Sequence, residues 1–93
     1  MIISKRKKII EVIIDIGKDS KLLDKFLTDL LTPLEYLEIK KRWEIIKMLN
    51  AGVNQHKIAK NLHVGIATVT RGARTFKNSN SGFKKVLKKI DHL

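Results

Sequence analysis

The feature that most constrains this chain is the spacing of apolar residues across residues 55–77, QHKIAKNLHVGIATVTRGARTFK. Ile58, Leu62, Val64 and Val69 fall where two short helices meeting at a tight turn must face a common interior, and Ala59 is small where those helices cross. That layout is a helix-turn-helix, whose second helix enters a DNA major groove while the first crosses the backbone. Gln55, His56, Lys57, Lys60, Ile66, Ala67, Thr70, Arg71, Arg74 and Lys77 lie on the remaining faces. They form a basic and hydroxyl surface suited to phosphates and base edges. A soluble helical corner with solvated lysines shows the same spacing, so the pattern alone leaves both readings open.

Charge favours nucleic acid. Residues 1–39 carry 7 Lys+Arg against 7 Asp+Glu, whereas residues 40–93 carry 13 against 2. The whole net charge of +11 therefore belongs to the half that contains the corner. Such asymmetry points to a polyanionic partner, because each neutralised phosphate releases condensed counterions. No apolar run reaches the roughly 18 residues of a membrane span. Lysines, Arg6 and acids interrupt the first sixteen residues and leave no signal-peptide core. The chain has no cysteine, which excludes disulfides and cysteine-bound metals and is compatible with a reducing cytoplasm. A cytoplasmic protein is expected.

At 93 residues the chain fits one domain. So short a chain buries a modest fraction of its surface, and a dimer with a shared core is a natural remedy. In chain order, Ile9, Ile13 and Ile16 share a stripe, which predicts a helix within residues 1–16 in spite of many β-branched residues. The cluster Lys5, Arg6, Lys7 and Lys8 is either a DNA-reaching arm or solvated charge. Ser20 is the expected cap of a second helix, whose Leu22, Leu23, Phe26, Leu27, Leu30 and Leu31 predict extensive burial.

Thr32 and Glu35 read as a capping box with Pro33 at the first helical position, opening a long helix to about Asn50. Gly52 ends it, Asn54 caps the next helix, and Val53 with Ile58 forms a hydrophobic staple. The turn needs one residue with positive φ, and Gly65 supplies it, or less comfortably His63. After a loop at residues 78–82, Phe83, Val86, Leu87 and Ile90 define a last amphipathic helix. The expectation is an all-α chain of six helices: an N-terminal helix or arm (1–19), core helices (20–53), the helix-turn-helix (54–77) and a C-terminal helix (81–93). No enzyme is expected, because His56, His63 and His92 have no metal-ligand spacing and no nucleophile elbow or phosphate loop occurs.

The segment G-I-A-T-V-T-R-G at residues 65–72, with L-L-T-P at residues 30–33 and Lys41-Arg42 in the following helix, resembles the tryptophan operon repressor family. The resemblance covers residues 20–93. It implies an intertwined homodimer that takes L-tryptophan as corepressor, with no other cofactor, and then grips a two-fold operator. It places Arg42 and Arg71 on either side of the indole, with Arg71 and the Thr32 hydroxyl at the carboxylate. It also places Gly72 against the ligand, Thr75 near its amino group, and the carbonyls of Leu30 and Leu31 where a helix end attracts an ammonium. Planar guanidinium groups suit both stacking and bidentate pairing. Taken singly, Arg42 equally suits a surface ion pair with Glu38, and Arg71 a phosphate contact. By the same resemblance Ile66, Ala67 and Thr70 face the bases, and Gln55, His56 and Lys77 lie near the DNA backbone. His63 stands where the family often has glycine. Two other classes remain: a ligand-independent regulator with the same corner, and a basic protein that coats nucleic acid without sequence preference.

Overall fold

A computed structural model describes residues 7–91. They form six helices: α1 (Ile9–Ile16), α2 (Ser20–Leu30), α3 (Pro33–Asn50), α4 (Gln55–Leu62), α5 (Ile66–Lys77) and α6 (Gly82–Ile90). No strand occurs among the described residues. The chain divides into two compact units, one up to Leu37 and one from Glu38, with the boundary inside α3.

In the first unit, α1 and α2 pack on each other. Helix α1 starts only at Ile9, because the Glu11 carboxylate accepts from the Lys8 amide at 3.1 Å and closes the helix start there. Lys7 pairs with Asp15, so at least this lysine of the basic cluster is engaged locally. Lys5 and Arg6 lie outside the described residues, as does His92.

The cap of α2 is Asp19, one residue before the expected Ser20. Asp19 is extended, and its carboxylate accepts from the Leu22 amide at 3.1 Å, while Ser20 is already helical. Both residue types cap well, and the one whose side chain reaches a first-turn amide takes the role. The expected burial of α2 is absent: none of its residues is buried, and Leu22 and Leu30 remain 48% and 53% exposed. Two short helices and one turn of a third offer too little apolar surface to close a core.

Helix α3 opens on a reciprocal capping box. The Thr32 amide donates to Glu35 Oε1 at 2.8 Å, and the Glu35 amide donates to Thr32 Oγ1 at 3.1 Å. Those bonds hold the Glu35 carboxyl below its usual range. The Tyr36 hydroxyl donates to Asp24, which joins the first turn of α3 to α2 and raises the phenol's pKa. At its far end α3 closes by a Schellman motif: the Gly52 amide reaches the Leu49 carbonyl and the Val53 amide that of Met48, both at 3.0 Å. This geometry needs φ +83° at Gly52, which glycine adopts without steric cost.

The second unit holds the core. Ile45, Ile58 and Val69 are buried together, with Met48, Leu49, Val53, Ala59, Leu62 and Val64 packed against them. Each fully buried aliphatic side chain contributes about 1.5–3 kcal/mol. Asn54 Oδ1 accepts from the Lys57 amide at 2.9 Å and starts α4, and Val53 and Ile58 meet in the core as the staple pattern requires.

The α4 to α5 turn differs from the favoured expectation. His63 adopts φ 55°, ψ 46°, while Gly65 sits in extended backbone as the cap of α5. Because α4 runs through Leu62, the left-handed position falls on His63, where the Val64 amide reaches back to the Ala59 carbonyl at 3.1 Å. After α5, buried Ser81 starts α6 by accepting from the Phe83 amide at 3.2 Å, and Leu87 is the buried anchor of that helix.

Candidate functional site

Helix α5 presents two working faces. On the exposed side stand Ile66, Ala67, Thr70, Arg74 and Lys77; His56, Lys57 and Lys60 of α4 are exposed as well, and Gln55 is half-buried. The Thr70 hydroxyl donates to Gln55 Oε1 at 2.9 Å, so the first residue of α4 is tied directly to the middle of α5. Basic side chains crowd this unit, and its acids are few. Among the described residues no carboxylate lies within 4.0 Å of Arg42, Arg71, Arg74 or Lys77, and the Arg42–Glu38 pair does not form.

The other face of α5 lines a cavity of about 450 Å³, within the range of small-molecule sites. Thr68, Arg71, Gly72 and Thr75 recur at helical spacing along it, with Ala67 beside them. Arg42, Ile45 and Ile46 of α3 form the facing wall, and Phe83 of α6 completes it. Arg42, Arg71, Gly72 and Thr75 were all expected at a ligand site, and they do line one cavity. A Cβ on Gly72 would stand 3.2 Å from Ile45 Cγ2, so the absent side chain is what lets α5 approach α3. The Thr75 hydroxyl donates to the Arg71 carbonyl at 3.3 Å, a bond that leaves its oxygen able to accept.

Leu30, Leu31 and Thr32 belong to the first unit, and the cavity lining comes wholly from the second. The sequence reading missed Ile45, Ile46, Thr68 and Phe83 as cavity residues, and it gave Ala67 to DNA alone. Thr68 was legible as the residue three before Arg71, on the same helical row. Phe83 carried no such signal, because its spacing with Val86, Leu87 and Ile90 reads as an ordinary docking stripe. Lys84, its neighbour, donates to the Lys77 carbonyl at 3.4 Å and lies 5.4 Å from the Phe76 ring centroid, which fastens the start of α6 to the end of α5.

The chemistry available is therefore binding: two guanidinium groups, two hydroxyls and apolar walls around one cavity, beside a basic helix-turn-helix. No group of three metal-ligating residues occurs among the described residues, and no described helix is long and apolar enough to cross a membrane. These features fit a helix-turn-helix DNA-binding regulator with a cavity against the second helix of its corner. Comparison is more specific: residues 4–91 match the family described as Trp repressor protein, and the chain belongs to that family. It is 37% identical over 71 residues to the Trp operon repressor homolog of Vibrio parahaemolyticus serotype O3:K6, covering 75% of this chain and 69% of that one. It is equally 37% identical over 71 residues to the Trp operon repressor homolog of Chlamydia trachomatis serovar L2, covering 71% and 76%. No solved structure matches the chain. The family is one of transcription regulators, not enzymes, and repression through DNA binding is its activity.

Proposed function

We propose that this protein is a trp operon repressor that binds L-tryptophan as corepressor and then a two-fold symmetric operator of tryptophan-related genes. The observation that carries this reading is the shared cavity: Arg42 of the long helix and Arg71 of the recognition helix line the same space. Two planar cations in one cavity suit a flat aromatic guest with an acid group, since guanidinium stacks on a ring and pairs bidentately with a carboxylate. Thr75 serves the polar end of the ligand, and Gly72 adds no side chain to the cavity wall. By the family resemblance, the Thr32 hydroxyl assists at the carboxylate and the carbonyls of Leu30 and Leu31 suit the ammonium.

The ligand works as a wedge. It contacts α5 through Thr68, Arg71 and Gly72, while Ile66 and Thr70 on the opposite side of that helix read DNA; Ala67 lies at the border of both faces. Occupancy thereby sets the pose of the recognition helix, and in a dimer it sets the spacing of two such helices near one DNA turn, about 34–36 Å. Ligand and operator affinities are then reciprocally coupled.

The homodimer is supported by uncovered apolar surface. Ile9, Ile10, Ile14, Leu22, Leu30, Leu34, Leu37 and Ile39 are all exposed, an arrangement a soluble monomer rarely keeps. Titrating trp operator DNA with and without L-tryptophan tests the proposal. Tighter binding with the amino acid is expected, and equal affinity in both arms would falsify the corepressor role.

A further inference from the structure

We propose that Phe83 is a ligand-contacting residue that sets which aromatic ring the cavity accepts. The inference rests on the tryptophan reading and adds a wall from a helix outside the helix-turn-helix. Among the residues that line the cavity, Phe83 is the one aromatic side chain. Leu87, one turn further on, is the buried anchor of α6, whereas Phe83 is only half-buried. Part of its ring is thus left facing the cavity.

The backbone that carries the ring is tied on both sides along the chain. Ser81, itself buried, accepts from the Phe83 amide at 3.2 Å, and Lys84 is fastened to the Lys77 carbonyl at 3.4 Å. A wall on a tethered backbone discriminates by shape, since the helix start that carries it is not free to move away from a larger guest. Its chemistry suits an aromatic one. Arg42 and Arg71 are matched to the faces of a bound ring, and a phenyl group meets the edge of a ring by offset or edge-to-face contact.

Calorimetry of the full chain with L-tryptophan and with tryptophans methylated at each benzo-ring carbon provides the test, using Phe83→Leu and Phe83→Ala. Thermal melts check that both variants fold, and Phe83→Leu keeps an apolar side chain in case the alanine variant does not. Tryptophan affinity is expected to fall about threefold to tenfold in Phe83→Leu, the usual worth of an aromatic pair. In Phe83→Ala at least one methylated ligand should gain about tenfold relative to tryptophan. Unchanged tryptophan affinity in folded Phe83→Leu, or an equal loss across the whole methylated series, overturns the assignment. Absence of tryptophan binding in the unaltered chain would instead remove the corepressor reading beneath it.

Discussion

Gly72 turns its bare Cα toward Ile45, and a Cβ built there would lie 3.2 Å from Ile45 Cγ2. Ile45 is buried in the core, so it has little freedom to move aside. Gly72→Ala gains roughly 1 kcal/mol of helix propensity in α5. It loses a comparable amount by pressing α5 away from α3. Net stability should therefore change by less than about 1 kcal/mol by denaturant titration, while calorimetry shows tryptophan affinity reduced at least severalfold. Retained affinity would mean that the helices separate without disturbing the cavity.

The Thr70–Gln55 hydrogen bond gives a second prediction. Thr70 is exposed and Gln55 only half-buried, so Gln55→Ala should cost the fold no more than about 1 kcal/mol. Because Thr70 then loses the partner that fixes its hydroxyl, operator affinity should drop severalfold in a gel-shift or anisotropy titration. Tryptophan affinity measured without DNA should stay the same, which separates this defect from damage to the cavity.

His63 pays a conformational cost of about 1 kcal/mol for its left-handed backbone. His63→Gly should raise the thermal midpoint by several degrees, since about 1 kcal/mol corresponds to roughly 4–8 °C in a domain of this size. The comparison must be made at one protein concentration, because a dimer's midpoint depends on it. An unchanged or lower midpoint would show that the imidazole makes a compensating contact.

Acid should loosen the start of α3. Glu35 has its carboxyl pKa held down by its bonds to Thr32, so its contribution is complete above the ordinary glutamate range and is lost as pH falls through the lowered value. Protection factors of the Thr32 and Glu35 amides, taken relative to the intrinsic exchange rate at each pH, should fall in that acidic window. Glu35→Gln keeps an acceptor without the titration, and the loss of protection should disappear; its persistence would place the pH sensitivity elsewhere.

The exposed apolar residues of α2 and α3 predict the assembly state. Leu22→Glu combined with Leu37→Glu places two charges where a partner surface is proposed. Light scattering should then report a monomer or an unfolded chain in place of a dimer. A dimer that survives both substitutions would put the interface elsewhere.

Much of this was readable from local chemistry. Capping and helix ends depend on a few adjacent residues, which is why Thr32 with Glu35, Gly52 and Asn54 all occupy their expected roles. Boundaries decided by competition between neighbours were less legible: Asp19 outreached Ser20, and His63 took the position favoured for Gly65. The cavity was partly legible, because Arg71, Gly72 and Thr75 share one face of one helix. Phe83 was not, since its place depends on how α6 docks after a turn, and no spacing within α6 records that. The burial expected for α2 failed for a related reason. An apolar stripe states that a surface must be covered, but not that the cover lies in the same chain.

On the proposed reading, helix α5 carries two duties on residues interleaved over its first two turns: Ala67, Thr68 and Arg71 border the cavity, and Ile66 and Thr70 face outward. Neither duty can drift alone. A lineage that changes its signalling metabolite by remodelling this turn also re-aims its reading of promoters, so effector and target should diversify in step, and grafting α5 onto a relative should transplant both preferences at once.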